Sequence, residues 1–185
     1  DRSGRFSHWP WRSAAGGEML VPPLPAGEPL QFIDVRDLAR FIVGTLERGI
    51  HGVFNATGPA PPAGCDWPTL IDACSAAVAR RGGAPARPVA VAESFLESEG
   101  VQPWTELPLW LPSTDAALRG HARIDIARAA AAGLATRPLA ETIDAVLDEP
   151  APAPDDPRRR GKLTPERESA LLARWRDGRA GGPRG

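Results

Sequence analysis

The sequence predicts an α/β fold in which short strands alternate with amphipathic helices along the chain. The helical segments have apolar residues at helical spacing, and short runs rich in β-branched residues stand between them. Hydrophobic residues make up 42% of the 185 positions, which is enough for a packed core, whereas 19 glycines and 21 prolines argue against an all-helical bundle. This alternation is typical of βαβ units with a parallel or mixed sheet.

The first part of the chain is predicted to hold a short aromatic helix, two strands and one longer helix. The aromatic helix falls within residues 1–17, and a strand at 19–21 precedes a proline-rich loop. The alternating segment 31–35 (QFIDV) predicts the second strand. Asp37 is expected to cap a helix that stops at Gly49. The apolar face of this helix is Leu38, Phe41, Ile42, Thr45 and Leu46.

The middle of the chain repeats the pattern. Residues 52–56 (GVFNA) predict a strand, and Asp66 is expected to cap the next helix. A further strand is predicted at 87–92 and a short helix at 93–99. The helix after Asp66 has an apolar face made of Leu70, Ile71, Cys74, Ala77 and Val78, so Cys74 is expected to point inward.

The last part begins with a long loop, 102–113, which is expected to be ordered only if Trp104 and Trp110 are buried. Asp125 is expected to cap an alanine-rich turn, and Pro138 to begin a helix. We therefore predict four units: a domain at 1–149, a Pro/Arg-rich linker at 150–163, a helix at 164–177 and a disordered tail at 178–185.

Four segments, taken in order, resemble the extended short-chain dehydrogenase/reductases, the NAD-dependent epimerase/dehydratase family. They are QFIDVRDLARFIVGTLE, GVFNATGP, WPTLIDACSAAV and DIARAAAAGLATRPLAETI. In the last of them Asp125, Arg128, Ala129, Gly133, Leu134, Pro138 and Leu139 occupy the expected places. The segments WPWR and PWTELPLWLP look closest to a bacterial reductase-like branch. The resemblance, from near residue 1 to about 149, implies the C-terminal, substrate-side portion of an incomplete Rossmann-type fold.

The resemblance also shows which motifs this chain lacks. The family holds NAD or NADP on a glycine-rich turn and transfers protons with a Tyr-x-x-x-Lys pair, but here there is no tyrosine and Lys162 is the sole lysine. Since Met19 is the only methionine, we expect a fragment whose cofactor half is encoded upstream. We then expect no cofactor on this chain alone and no catalysis by it. Gln31 replaces an arginine that serves a phosphate in sugar-nucleotide members, although Arg36 or Arg5 could substitute.

Six residues are candidates for binding a small-molecule substrate. Near the N-terminus, indoles could supply apolar walls while Arg or His orients an anionic or carbonyl-bearing ligand. The alternative is a surface helix anchored by its tryptophans, and a core position for Trp104 is similarly favoured. Asp34 and Asp37 are better explained as a hydrogen-bond acceptor and a helix cap than as catalytic carboxylates. The candidates are Arg5, His8, Trp9, Trp11, Asn55 and Trp104.

Composition excludes several classes of protein. A net charge of −1 gives no overall attraction to nucleic acid, and no apolar run approaches the roughly 20 residues of a membrane span. Cys65 and Cys74 fit no metal-ligand spacing, so a reducing, cytoplasmic location is expected. The basic segment 158–162 could contact RNA or an acidic partner, but a solvated linker is favoured because no aromatic residues are interleaved with its charges.

Three functions remain open at this point. The first is the substrate-binding portion of an NAD(P)-dependent oxidoreductase or epimerase. The second is a non-catalytic interaction module that recruits a partner through the helix at 164–177, whose apolar stripe is Leu171, Leu172 and Trp175. The third is a pseudoenzyme that senses a small molecule, because a fold does not determine a function.

Overall fold

A computed structural model of the chain describes residues 1–60, 62–118 and 120–180 and shows a mixed α/β fold. Among these residues the helices are longer than the strands, which have two or four residues each. The helices are α1 (His8–Ala14), α2 (Val35–Glu47), α3 (Trp67–Arg80), α4 (Glu93–Ser98), α5 (Ala127–Ala131), α6 (Leu139–Leu147) and α7 (Pro165–Ala180). The strands are β1 (Glu18–Val21), β2 (Pro29–Leu30), β3 (Cys65–Asp66) and β4 (Arg87–Ala90).

The strands form two separate pairs. β1 and β4 are parallel, with Glu18 opposite Arg87 and Val21 opposite Ala90. α2 and α3 both lie in the connection between these two strands, as a parallel pair requires a long crossover. β2 and β3 are antiparallel, with Leu30 opposite Cys65. The expected mixed sheet therefore occurs only as two small ladders.

The main core lies where α1, α3 and α6 pack together beside β1. The predicted inward face of α3, including Cys74, is buried throughout. Asp66 caps this helix as expected, since its Oδ1 accepts the Thr69 N–H at 3.0 Å. Cys65 and Cys74 are both free thiols in this core, and burial raises the pKa of each to about 12.

Helix α7 docks on the domain through buried side chains. Leu171 and Leu172 enter the main core, and Glu168 beside them forms an ion pair with Arg12 of α1, with 2.7 Å between Oε2 and Nε. The other carboxylate oxygen, Oε1, accepts the Leu20 N–H of β1 at 2.8 Å. A short helix needs such packing to persist, and here its own domain supplies it.

The predicted linker, 150–163, packs against the domain. The Lys162 Nζ donates to the Ser3 carbonyl at 3.3 Å, and the Leu163 N–H donates to the Glu106 carbonyl at 3.0 Å. A Cβ at Gly4 would stand 2.4 Å from the Arg158 carbonyl oxygen, so only glycine permits this approach. Residues 178–180, predicted as tail, belong to α7, and residues 181–185 lie outside the described part of the chain.

The strands predicted at 31–35 and 52–56 are wrong, because neither segment pairs with another strand in the described chain. The Gln31 side chain instead ties this region together. Its Nε2 donates to the Gly58 and Ile124 carbonyls, at 3.1 and 2.9 Å, and its Oε1 accepts the Ile124 N–H at 2.7 Å. Alternating sequence is not sufficient for a strand when no neighbouring strand is present to complete the ladder.

The predicted cap of α2 is also wrong by three residues. Asp34 is the N-cap, with extended backbone and a side chain that accepts the Arg36 N–H at 2.9 Å. Asp37 lies within the first turn and is buried. Aspartate is a common helix cap, so either residue suits the start of α2 by type. Asp37 is bound to Arg137 in a buried ion pair, and Asp34 is the cap.

We predict that Glu168→Ala lowers the free energy of unfolding by about 3 kcal/mol, because it leaves the half-buried Arg12 charge and the Leu20 N–H without their acceptor. Urea denaturation of the full chain measures the change. Asp177→Ala, which removes an exposed carboxylate from the same helix, is the control and should change stability little. Equal losses in the two variants would contradict a structural role for the Glu168 contacts.

Candidate functional site

The described residues enclose an open cleft of about 690 Å³. One wall comes from the proline-rich segment 23–32 and the other from the loop 104–123, with Trp67 at the start of α3 between them. The prolines stiffen the first wall because each has a fixed backbone angle. Apolar side chains in the walls include Pro23, Pro29, Phe32, Leu109, Leu111 and Pro112. A cleft of this size and character suits a small organic ligand.

Three indoles line the cleft: Trp67, Trp104 and Trp110. Trp67 and Trp110 are almost fully buried, and Trp67 is braced from behind by Trp9, with ring centroids 5.0 Å apart in an edge-on arrangement. The Trp104 N–H donates to the Trp110 carbonyl at 2.9 Å, which closes the loop between them. The aromatic surface is therefore held in place by the core.

Two residues of this wall have a backbone conformation that non-glycine residues seldom adopt. Trp104 has φ of 63° and Leu109 has φ of 67°. Each costs of the order of 1 kcal/mol or more, and such strain persists only where tertiary contacts impose it. Strained residues cluster at ligand sites, so this observation adds to the case for a binding cleft.

The Trp104 ring is contacted by two basic side chains. The His121 ring meets it edge-on, with centroids 4.8 Å apart, and the Arg5 guanidinium carbon lies 5.3 Å from its centre. His121 also lines the cleft. No hydrogen-bond partner of its imidazole occurs in the described part of the chain, so its nitrogens are available to a ligand.

The acidic groups of the cleft are engaged by the protein itself. Glu28 pairs with Arg123 at 3.0 Å, and the Glu93 carboxylate accepts both the N–H of Ser113, at 2.9 Å, and its hydroxyl, at 2.8 Å. Among the described residues no group of three or more His, Cys, Asp or Glu side chains could hold a metal ion. The Glu28 and Glu93 carboxylates therefore stabilise the cleft walls.

Of the six predicted site residues, only Trp104 lines the cleft, with Arg5 stacked against it. Trp9 is a core residue, in agreement with the alternative given for it above. Trp11 Nε1 donates to the Val146 carbonyl at 3.2 Å, and the Arg158 guanidinium covers its ring at 5.0 Å. These two indoles therefore anchor α1 and do not line the cleft.

His8 and Asn55 also lie outside the cleft lining. Burial, with lesser effects from Lys162, Arg12 and Arg159, lowers the pKa of His8 to about 3. This histidine is consequently neutral at physiological pH. Asn55 joins two loops, since its Nδ2 donates to the Asp125 carbonyl at 3.1 Å. The prediction that Asn55 ends a strand is wrong, because segment 52–56 forms no strand.

The sequence did not indicate Trp67 or His121 as site residues, and for Trp110 it favoured the core position that its burial confirms, although this indole also lines the cleft. Trp67 directly follows the cap of α3 and is indistinguishable by pattern from a core position. His121 is isolated in the sequence, and only the fold brings it to Trp104. The one local signal is the density of tryptophan and proline in 103–112 (PWTELPLWLP).

A smaller cavity of about 120 Å³ lies beside the start of α2 and contains a network of charged groups. Arg137 binds the Asp37 carboxylate through Nε at 3.0 Å and Nη2 at 2.8 Å. Thr142 Oγ1 donates to Asp34 at 2.9 Å, and Arg36 pairs with the same carboxylate. Hydrogen bonds from Arg36 lower the pKa of Asp34, and those from Arg137 lower the pKa of Asp37. Both carboxylates are ionised and paired, which supports their structural interpretation.

The outer side of α2 exposes an apolar stripe. The predicted face is buried only in part: Phe41 is in the core, but Ile42 is 50% exposed and Leu46 74%. Val35 and Val43, 71% and 52% exposed, extend the stripe along the helix. Val53 on the following loop is 83% exposed. We call Val35, Ile42, Val43 and Leu46 the α2 stripe, and contiguous exposed apolar surface of this kind marks an interaction surface.

We predict that the Asp37–Arg137 pair makes stability depend on acid pH. The folded-state pKa of Asp37 lies below the ordinary value of 3.8. Its contribution to the free energy of unfolding is therefore complete well above pH 3.8 and is lost as the pH falls from there through the folded-state pKa. Urea unfolding between about pH 6 and pH 2 should show a steep loss in the natural chain and a shallower loss in Asp37→Asn. Asp72→Asn, at an exposed position of α3, should keep the natural profile. If stability fell in parallel with pH in all three proteins, the Asp37–Arg137 pair would not be a source of the pH dependence.

Comparison with models of known protein families, with curated proteins and with solved structures finds no match to this chain. In the described residues no helix is both long enough and apolar enough to cross a membrane.

Proposed function

We propose that this chain is the substrate-binding portion of an NAD(P)-dependent reductase or epimerase of the extended short-chain dehydrogenase/reductase family. The single observation that carries the proposal is the cleft of about 690 Å³, which has three indoles in its walls and acidic groups that are already engaged. Its volume falls in the range of roughly 300 to 1,000 Å³ that is usual for small-ligand sites. The substrate is a small molecule with an apolar body.

The order of the helices supports this family assignment, whereas the strands that the resemblance implies at 31–35 and 52–56 do not pair in the described residues. The resembling segments include α2, α3 and the α5–α6 region, in the order that the resemblance implies. β1 and β4 form a parallel pair with two helices between them in the chain, as in α/β folds. The incomplete Rossmann-type fold is part of the proposal, since two short ladders alone are common to many α/β proteins.

The chain's own residues do not fit a dinucleotide. Gly16 and Gly17, with φ of 71° and 70°, join the end of α1 to β1. Gly82, with φ of 76°, follows the end of α3. A dinucleotide site needs the opposite order, a strand followed by a glycine-rich turn and a helix N-terminus. We therefore assign NAD or NADP to a cofactor half outside this chain and derive no reaction step here.

The α2 stripe supports a second body in the natural protein. Four exposed aliphatic side chains on one helix are costly to leave in water. In the proposed architecture the cofactor half lies against this stripe. The role left to this chain is to bind the substrate against Trp104 and Trp67, to exclude water, and to orient a polar group toward His121.

The proposed function is tested with the product of the whole natural reading frame. We expect it to oxidise NADH or NADPH in the presence of aromatic or aliphatic carbonyl compounds, whereas this chain alone shows no turnover. Trp104→Ala should raise KM by about tenfold with a smaller effect on kcat, because it removes a binding wall. Arg87→Gln, at an exposed position outside the cleft, is the control. Turnover by this chain alone would contradict the proposal.

We further predict that Ile42→Asp changes the stability of this chain alone less than it lowers the stability of the longer product. In this chain alone it should change the free energy of unfolding by less than about 1 kcal/mol, since the side chain is half exposed. In the longer product it should lower stability by about 2 kcal/mol or more, because a charge would be buried between the halves. Thermal unfolding of both pairs measures this, with Ala76→Asp on the exposed side of α3 as the matched control. Equal effects in both contexts would contradict a covered stripe.

The two alternatives give different results in the same experiments. An interaction module anchored on α7 has little support, since Leu171 and Leu172 are buried in the chain's own core. A pseudoenzyme would bind ligands in the cleft but would show no turnover in the longer product. A cytoplasmic location belongs to the proposal and is supported by the two free thiols.

A further inference from the structure

A group of basic side chains lies where the N-terminal turn meets the segment that leads into α7. We call Arg5, Arg159 and Lys162 the basic junction. The contacts that bring the two segments together are close: Lys162 Nζ donates to the Ser3 carbonyl at 3.3 Å, and Gly4 packs on the Arg158 backbone. The sequence predicts segment 158–162 as a solvated linker, whereas in the structure this segment packs against the domain.

The basic junction has no carboxylate partners in the described part of the chain. Most other arginines of that part do have one, including Arg12, Arg36, Arg80 and Arg167. The two nearest acids by sequence are engaged elsewhere. Asp1 accepts the N–H groups of residues 4, 6 and 7, and Asp156 is bound by Arg158. The positive charges of Arg5, Arg159 and Lys162 are therefore not paired directly with a carboxylate of the described residues.

Arg5 is the member with the clearest need of an acceptor. Its Nε is buried and has no hydrogen-bond partner among the described residues. A buried charged donor without an acceptor is unfavourable, and structures seldom retain one without a reason. Lys162, half-buried beside it, donates to the Ser3 carbonyl and to no other acceptor among the described residues, so further ammonium hydrogens can bind a ligand.

The electrostatics agree with this geometry. Burial and then the charge of Arg5 lower the pKa of Lys162. The lowered pKa of His8 includes contributions from Lys162, Arg12 and Arg159, so these groups share one region of positive potential. A bound anion would offset the repulsion among them, as phosphates do in arginine and lysine clusters.

Arg5 also connects the basic junction to the cleft. Its guanidinium stacks on Trp104, which lines the cleft, at 5.3 Å from the ring centre. One ligand can therefore reach both places if its apolar body packs near Trp104 and its charged group extends past the edge of that ring.

We propose that Arg5 and Lys162 bind an oxyanion, phosphate or carboxylate, carried by the ligand whose apolar body fills the cleft. This inference rests on the proposed function for the position of the ligand body, but the oxyanion site itself does not. Two experiments separate them.

The first experiment uses the sole lysine of the chain as a reporter. Acylation of Lys162 by an amine-reactive ester is followed by mass spectrometry at the peptide level, with inorganic phosphate or with sodium chloride of equal ionic strength. We expect about 20 mM phosphate to slow the acylation by about threefold, as mass action predicts for a dissociation constant near 10 mM. The protection should disappear in Arg5→Gln and persist in the control Arg87→Gln. Equal rates in phosphate and chloride would overturn the oxyanion site.

The second experiment compares 1-naphthyl phosphate with neutral 1-naphthol by calorimetry on the full chain. We expect the phosphate to bind about tenfold more tightly, and Lys162→Met to remove most of that advantage. Binding of naphthol without any gain from the phosphate would overturn the oxyanion site and leave the cleft standing. Protection of Lys162 by inorganic phosphate without any naphthol binding would instead refute the cleft and leave the oxyanion site standing. Naphthyl acetate in place of the phosphate distinguishes charge from added size.

Discussion

The position of the short parallel ladder depends on one carboxylate, that of Glu168. One of its oxygens pairs with Arg12 of α1 and the other accepts the Leu20 N–H of β1, so three elements meet at a single side chain. β1 is bonded to β4 on one edge only, and its other edge would otherwise leave a buried N–H unsatisfied. Arg12 extends the same network to the carbonyls of Gly16 and Glu18.

The contacts of Glu168 and Arg12 also hold the cleft walls in place. α1, held by Arg12, carries Trp9 into the core, and Trp9 braces Trp67 between the cleft walls. The opposite wall includes Trp104 and Leu109 in a conformation that the surrounding contacts impose. A site that is formed before ligand arrives loses less conformational entropy on binding. The cleft walls are therefore held by contacts with the core, as the proposed ligand site requires.

Sequence patterns predicted local features well and long-range ones poorly. Asp66 as a cap and the inward face of α3 were confirmed, because both depend on residues within one helix. The strand at 31–35 failed because a strand requires a neighbour, and the alternating pattern says nothing about one. Asp37 was predicted to cap α2, but Asp34 is the cap. Asp37 instead binds Arg137, which lies a hundred residues further along the chain and cannot be foreseen from the local sequence.

The same limit applies to the candidate site. Trp104 was identified by its aromatic character and its irregular surroundings. His121 and Trp67 belong to the cleft only through pairings across the fold, with Trp104 and Trp9 respectively. Arg5 was chosen as a possible ligand to an anion, and its stacking on Trp104 and its unpartnered Nε come from the structure alone. Residue type suggested the chemistry, while tertiary contacts decided the location.

The Glu168 contact also has a consequence for the order in which the chain folds during synthesis. β1 leaves the ribosome long before β4, its ladder partner in the described chain, and longer still before α7. During that interval its outer edge has no cover, and nascent chains with open edges are prone to associate with one another. Parallel pairing over such a separation is intrinsically slow. A chain that ends before residue 168 would therefore leave the Leu20 N–H on that edge without its carboxylate acceptor.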